Sequence, residues 1–269
     1  MFIVFGTHVF KKANVVQGHT QCMNCGVMSR TVSYDGRAWH HVNYIPLAPV
    51  GKLSRMLMEC KYCKTCVRFE LEDLPSFQDR VVDDVEDAAA ALLAGQETFL
   101  PRDGSPEQHC GIYLANSVGM LYCLQLDDEV ERIMDLLEKQ RDEFNKSLME
   151  GAQLEFDGDH QQADEVYGRI LENNYSSIQW PVYLGQFYSR WNYREDAIEV
   201  FEEADERWPH VPVVLENLVF LYDQTKQYHD LCDTYEDLVE VAPGIRANKW
   251  YVQTYRKACK KARRRPVYD

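Results

Sequence analysis

The C-terminal half of this sequence repeats itself with a period of 34 residues. Equivalent residue types recur in register, with a few replacements: Gly151 and Gly185; Ala163, Ala197 and Leu231; Tyr167, Phe201 and Tyr235; Pro209 and Pro243. An internal period of this length is typical of stacked pairs of α-helices, in which each pair covers its apolar face only by packing on its neighbours. Such arrays usually bind other molecules and seldom carry out chemistry. The repeat therefore predicts a mainly α-helical chain.

The composition is that of an ordinary globular protein, with 269 residues of which 45% are apolar and 27% charged. No apolar run approaches the roughly 20 residues that cross a bilayer, and residues Met1–Phe5 lack the features of a signal peptide. Five of the nine cysteines lie within residues 22–66, which indicates reduced thiols and a metal site rather than a disulfide framework. We therefore expect a cytoplasmic protein.

Charge is segregated along the chain. The net charge, taken as the number of Lys and Arg residues less the number of Asp and Glu residues, is +6 for residues 1–70 and −12 for residues 71–142. It is −16 for residues 143–245 and +8 for residues 246–269. Two basic ends thus flank an acidic middle. This distribution is compatible with an anionic partner at the ends, with a basic partner in the middle, or with self-association.

Two cysteine pairs near the N-terminus have the spacing of metal ligands. Cys22 with Cys25 and Cys60 with Cys63 are C-x2-C pairs, and each such turn can supply two thiolates to a tetrahedral zinc ion. Four thiolates leave no position for a catalytic water, so the predicted role is structural. Cys66 continues the second motif, which leaves open whether Cys63 or Cys66 is the fourth ligand. A β-structure as small as the N-terminal segment 1–70 buries little apolar surface, so much of its folding free energy would come from binding the metal.

Residues 1–70 resemble a small zinc-ribbon family found mostly in bacterial proteins. The segments that carry the resemblance are Phe5-Gly6-Thr7, Cys22 to Gly26, Trp39-His40-His41, Ile45 to Lys52 and Glu59 to Cys63. The resemblance implies a β zinc ribbon that holds structural Zn2+ on Cys22, Cys25, Cys60 and Cys63, and it implies no activity. The chain departs from the family at Lys64, because the turn that carries a C-x2-C pair often has glycine at this position in the family.

The acidic segment 71–142 predicts helices over 77–96, over 106–124 and from about residue 127. Extending the 34-residue register upstream allows a degenerate hairpin here, and a single long helix from Glu129 to Phe156 is also compatible with the pattern. We predict three domains: a zinc ribbon at 1–70, an acidic helical linker domain at 71–142 and the repeats at 143–269.

The repeat resembles the tetratricopeptide (TPR) family. Repeats that start at residues 144, 178 and 212 place family-type residues at the expected positions, and the second repeat matches best, with Gly185, Ala197, Phe201 and Pro209. The resemblance implies an α-solenoid of three helical hairpins, followed by a capping helix from Arg246 to about Arg264.

In this family the first helix of each hairpin lines a groove that holds a partner. Transferred by position, the resemblance assigns partner binding to Leu148, Phe156, Gln186, Arg190, Phe220, Asp223 and Trp250. Some TPR proteins bind the C-terminal carboxylate of a peptide through Lys and Asn side chains. This chain has Glu216 and Phe220 at two of those positions, so binding of a peptide C-terminus is disfavoured. The predicted ligand is a protein segment with apolar anchors and some positive charge. The alternative is that these residues only stabilise the array or an oligomer interface.

The C-terminal stretch is strongly basic and has three possible roles. Its last cations are Lys260, Lys261, Arg263, Arg264 and Arg265. They could complement the dipole of the capping helix, contact nucleic acid or an anionic surface, or dock on the acidic middle of the chain.

No sequence motif for catalysis is present: there is no Walker loop, dinucleotide fingerprint, His-Glu-x-x-His or G-x-S-x-G. We therefore predict a protein that is not an enzyme. The predicted fold is mainly α, a TPR-like α-solenoid with a small N-terminal β zinc ribbon. The predicted function is a zinc-binding scaffold whose groove holds a partner protein segment; the alternative is a nucleic-acid-associated factor that uses the basic ribbon and the basic tail.

Overall fold

A computed structural model describes residues 5–22, 24–25, 27–43, 45–173 and 177–268. The chain divides into two compact units, residues 1–170 and residues 171–269. The protein is mainly helical with an N-terminal antiparallel sheet. The predicted domain boundaries after residues 70 and 142 both lie inside the first unit. The apolar run Phe2–Phe5, whose pattern predicts a short strand, lies outside the described residues except for Phe5.

The sheet of the first unit is a four-stranded antiparallel meander. Its strands are β1 (Phe5–Gln21), β2 (Met28–Val42), β3 (Ile45–Cys60) and β4 (Val67–Glu70), in the order β1-β2-β3-β4. Because each strand reverses direction, the β1–β2 turn and the β3–β4 turn lie at the same end of the sheet. The two cysteine pairs are in these two turns.

The first three strands, with 17, 15 and 16 residues, are long compared with the usual 3–10 residues. Register shifts interrupt β1 between Phe10 and Ala13 and between Ala13 and Val16, and such irregularities bend a strand. β4 pairs only with residues 54–57 of β3. Within the described part of the chain, no strand pairs with residues 45–53 along this edge of β3, where Pro46 and Pro49 lack an N–H group.

The helices of the first unit follow the sheet. They are α1 (Leu74–Leu93), α2 (Cys110–Cys123), α3 (Asp127–Gln140), α4 (Glu143–Asp157) and α5 (His160–Asn173), whose end passes into the second unit. A short pair of strands, β5 (Thr98–Phe99) and β6 (Gln108–His109), precedes α2. The helix predicted from residue 106 therefore begins later, because residues 108–109 pair with β5.

The segment 110–157 contains separate helices and no single long one. Arg141 adopts a left-handed conformation, with φ 57°, and ends α3. Asp142 then caps α4, because its Oδ1 accepts a hydrogen bond of 3.1 Å from the backbone N–H of Asn145. Of the two alternatives left open by the sequence, the structure has the helical hairpin, formed by α2 and α3.

One face of the sheet packs against helices of the same unit. Leu57 of β3 shares a core cluster with Cys123, Leu124 and Phe156. The Phe156 ring fits against Gly18 of β1, where a Cβ atom would lie 2.3 Å from the ring. The sheet is therefore larger than the small β module that we expected, and helices of the same unit pack on it.

The second unit contains two helical hairpins and a further helix. They are α6 (Gln179–Arg190) with α7 (Arg194–Arg207), α8 (Pro212–Thr225) with α9 (Tyr228–Val241), a 3₁₀ turn (Pro243–Ala247) and α10 (Lys249–Ala262). Successive second helices start at His160, Arg194 and Tyr228, which reproduces the 34-residue period.

The repeat signature has a direct physical cause. A Cβ on Gly185 would lie 2.6 Å from the Phe201 ring, and a Cβ on Gly151 would lie 2.3 Å from the Tyr167 ring. The glycine thus allows the aromatic ring of the second helix to approach the backbone of the first. In the third repeat Val219 replaces the glycine, and Tyr235 instead stacks on Tyr255 of α10 with ring centres 4.4 Å apart.

Candidate metal centre and interaction surfaces

Four cysteine thiols come together at the end of the sheet. The Sγ atoms of Cys22, Cys25, Cys60 and Cys63 all lie within 4.8 Å of one another, with 3.5 Å between Cys22 and Cys63 and 3.8 Å between Cys25 and Cys60. A tetrahedral zinc site with Zn–S bonds of about 2.3 Å has S···S edges of about 3.8 Å. The four thiols therefore have an arrangement that can hold a tetrahedral metal ion.

The turns that carry these thiols close on themselves through backbone hydrogen bonds. The N–H of Cys22 donates to the carbonyl of Val27 at 3.1 Å, and the N–H of Cys60 donates to that of Thr65 at 3.0 Å. Lys64 completes the second turn in a left-handed conformation, with φ 60°. Glycine adopts this conformation most easily, which explains the glycine that the zinc-ribbon family often has at this position.

Cys66 lies outside the four-cysteine cluster. Its side chain lines a pocket together with Cys22, Leu57 and Val67, and burial raises the pKa of its thiol. Among the described residues, the structure thus selects Cys63 and not Cys66 as the fourth member of the cluster.

The cluster has an uneven electrostatic environment. Hydrogen bonds from Thr65 lower the pKa of the Cys63 thiol to about 6, and a hydrogen bond from the backbone of Cys63 lowers the pKa of Cys60. The backbone N–H of Val27 lowers the pKa of Cys25, yet desolvation and hydrogen bonding with the other thiols outweigh it and raise that pKa to about 11. Neighbouring thiolates repel one another, and a bound cation would allow all four to be deprotonated.

The seven predicted groove residues separate into two groups. Leu148 and Phe156 are buried in the first unit, with 1% and 6% of their surface exposed. Phe156 packs against Gly18 of β1. It also stacks on Tyr122, and the centres of these two rings lie 5.2 Å apart. The assignment of Leu148 and Phe156 to a partner groove is therefore corrected, because the sheet and helices of the first unit cover them.

The other five predicted residues, Gln186, Arg190, Phe220, Asp223 and Trp250, lie on α6, α8 and α10 of the second unit and are at least partly exposed. Phe220 and Trp250 are 43% and 42% exposed, and their ring centres lie 6.1 Å apart. Beside them Lys257 forms an ion pair of 2.9 Å with Asp223. We call Phe220, Trp250, Asp223 and Lys257 the aromatic surface.

The basic tail is only partly engaged by its own unit. The guanidinium of Arg264 pairs with Asp233 and, at 2.8 Å, with Glu236 of α9. Tyr255 of α10 donates a hydrogen bond of 2.7 Å to the same Glu236 and accepts one of 2.9 Å from the N–H of Val267. The remaining tail cations, Lys260, Lys261, Arg263 and Arg265, are exposed.

The fold and the candidate site define a protein in which a β-sheet bearing a four-cysteine cluster precedes an array of helical hairpins. No family model matches the chain, and no curated protein matches it. Among solved structures the chain is similar to a variant of MamA, with 12% identity and a TM-score of 0.42 over 69% of this chain and 85% of that chain. It is also similar to MamA AMB-1, with 14% identity and a TM-score of 0.42 over 57% of this chain and 83% of that one. TM-scores below 0.5 are too low to support a functional argument.

Among the described residues, no helix is long and apolar enough to cross a bilayer.

Proposed function

We propose that this chain is a non-enzymatic, zinc-binding scaffold of the cytoplasm that holds a partner protein on TPR-like hairpins. The observation that carries the scaffold role is the aromatic surface on α8 and α10. Two large rings that are each more than two-fifths exposed lie side by side there. Aromatic residues grouped in this way are typical of the centres of protein interfaces.

The partner expected at this surface is a protein segment with an apolar anchor. Burying exposed aromatic carbon is favourable by about 25 cal/mol per Å², so the two rings supply the main attraction. Asp223 and Lys257 neutralise each other at 2.9 Å and would fix the orientation of polar groups on the ligand. Within the second unit, the charges of α7 and α9 are mostly acidic, which favours partners with some positive charge.

The metal is proposed to be zinc in a structural role. Four thiolates form a soft ligand set that suits zinc, and a closed tetrahedral set leaves no coordination site for substrate. The ion would join the β1–β2 turn to the β3–β4 turn. The thiol spacing of 3.5 Å and 3.8 Å supports this proposal.

The scaffold proposal is tested by affinity capture of proteins on the full-length chain, with nuclease present, in wild-type and variant forms. We expect partners that are retained by wild type and lost from Phe220→Ala and Trp250→Ala. Val241→Ala is the matched control, since Val241 is also exposed (38%) on a helix of the second unit but lies outside the aromatic surface. Equal capture by all four proteins would refute the assignment of the surface.

A second function, contact with nucleic acid through the basic tail, is favoured by one observation. Lys260, Lys261 and Arg265 are exposed at one end of the chain, whereas Arg264 is held by α9. This function predicts complexes that weaken steeply as salt rises. Filter binding of the full chain should then be reduced in a Lys260→Gln, Lys261→Gln, Arg265→Gln variant. Absence of any complex at low salt would eliminate this alternative.

A further inference from the structure

We propose that a cleft beside the four-cysteine cluster binds a small ligand through an oxyanion, either a phosphate or a carboxylate, with Lys12 and Lys64 as its cationic contacts. The cleft has a volume of about 460 Å³, which is within the usual range of roughly 300–1,000 Å³ for ligand pockets. It lies entirely in the first unit and does not involve the aromatic surface, so the proposal does not depend on the scaffold function.

Two hydrogen-bonded side chains, Tyr34 and Glu59, line the cleft. Tyr34, which is 3% exposed, donates its hydroxyl hydrogen bond to Glu59. The ammonium of Lys12 lies 3.6 Å from the centre of the Tyr34 ring and 3.7 Å from Oε2 of Glu59. Lys12 is thus positioned by a cation–π contact and an ion pair, and because 3.7 Å is too long for a hydrogen bond, its N–H groups can still donate to a ligand.

The backbone conformation is unusual at Lys64 and at the residue before Lys12. Lys64 has φ 60° in the second cysteine turn, and Lys11, directly before Lys12, has φ 58° in the irregular part of β1. A left-handed conformation is unfavourable for any residue with a Cβ, and glycine would adopt it more easily. A lysine held in such a conformation at the rim of a cleft indicates a role for its side chain.

The charge balance of the cleft selects an anion. Glu59 already accepts the hydroxyl of Tyr34 and pairs with Lys12. Within the part of the chain that the structure describes, Lys64 forms no ion pair, so its charge is not compensated by the protein. Val9 and Ala38 provide an apolar wall on which the carbon skeleton of a ligand could pack. The site therefore suits an organic molecule with one oxyanion group.

The proposal is tested by NMR titration of the full chain, prepared with zinc and labelled with 15N, at constant ionic strength. The probes are inorganic phosphate, acetate and a short single-stranded oligonucleotide. We expect saturable shifts of the amide signals of Lys12, Tyr34 and Lys64 with phosphate or with acetate, and the probe that saturates identifies the oxyanion. Shifts that do not saturate with either probe, or that appear only with the oligonucleotide, would overturn the proposal.

Variants separate binding from folding. Lys64→Gly relieves the left-handed conformation and should leave the fold and the zinc content intact, yet weaken the saturating probe by about tenfold or more. Lys61→Gln is the matched control, because Lys61 is exposed in the same turn and is not among the residues that line the cleft. If Lys64→Gly binds as wild type does, or if Lys61→Gln is weakened equally, the assignment of Lys64 is wrong.

Discussion

Arg55 donates two hydrogen bonds to the backbone carbonyl of Cys123, from Nε at 3.1 Å and from Nη2 at 2.5 Å. Arg55 is 1% exposed, and its Nη1 also donates to the carbonyl of Asn14 at 2.8 Å and to Asp35 at 3.1 Å. A single guanidinium thus joins three strands of the sheet to the C-terminal end of α2. A cation is favourable at this position because the last carbonyls of a helix carry partial negative charge.

Replacing Arg55 with Met should destabilise the first unit strongly. The substitution keeps most of the volume but removes the guanidinium that binds the Asp35 carboxylate and the Cys123 carbonyl, and breaking such a buried pair costs about 3–5 kcal/mol. Urea unfolding followed by circular dichroism measures the change. Arg37→Met is the control: Arg37 is exposed and donates one hydrogen bond, to the carbonyl of Gly51, so its loss should cost less than about 0.5 kcal/mol. Equal effects of the two substitutions would contradict the role given to Arg55.

The cysteine variants should differ in metal content. Purified wild type is expected to contain about one zinc ion per chain, which is the stoichiometry of a single four-thiolate site. Cys63→Ser should lose most of the metal, whereas Cys66→Ser should retain it because Cys66 does not belong to the four-thiol cluster. Elemental analysis by mass spectrometry gives the ratio. Retention of zinc by a Cys22→Ser, Cys25→Ser double variant would show that the ion is held elsewhere.

Gly185→Ala should destabilise the second unit. Its Cβ would lie 2.6 Å from the Phe201 ring, and overpacking of this kind typically costs about 1–3 kcal/mol. Gly244→Ala is the control, because a Cβ there meets no atom within 4 Å and the residue has no positive φ. Thermal unfolding should show a lower Tm for Gly185→Ala only, and a reversed order would contradict the close packing of Gly185 on Phe201.

The stability of the second unit should fall at alkaline pH. Burial and the hydrogen bond to Glu202 raise the pKa of the Tyr222 phenol above its unfolded value of about 10. The folded state therefore holds this proton more tightly, and the stabilisation is complete below pH 10 and lost as pH rises above it. At pH 8, Tyr222→Phe should cost about 1 kcal/mol through the lost hydrogen bond.

The difference in free energy of unfolding between wild type and Tyr222→Phe should then shrink above pH 10. Denaturant unfolding at a series of pH values measures it. Val213→Ala, a change at a partly exposed residue of the same helix, should give a difference that does not depend on pH. A difference for Tyr222→Phe that stays constant from pH 8 to pH 11 would show that the phenol does not have a raised pKa.

The part of the fold that local pattern encodes was predictable. The 34-residue period set the helices of the second unit, since Gly185 and Phe201 meet within one hairpin. The break at Asp142 had a signal as well, because Asp is a preferred residue at the N-cap of a helix. The cysteine spacing identified Cys22, Cys25 and Cys60 as members of the cluster, and the structure decided between Cys63 and Cys66 for the fourth.

The burial of Leu148 and Phe156 was not predictable from the repeat pattern. The groove residues were assigned from their positions in the TPR repeat, which assumes that the first helix of every hairpin faces a groove. In the first unit β1 lies against α4, and Phe156 fills the space beside Gly18. The cleft with Lys12 and Lys64 was missed for a similar reason, since its residues come from three strands and a turn; the only signal was Lys64 at a position that favours glycine.

The sequence by itself determined the helical period, the identity of the thiols and the segregation of charge, because each of these depends on spacings within a few tens of residues. The tertiary structure decided which distant residues come into contact. The antiparallel meander brings residues 22–25 to residues 60–63, and the packing of α2 and α4 on the sheet buries Arg55 and Phe156. Such contacts depend on strand order and on the register between distant segments, for which local pattern carries no information.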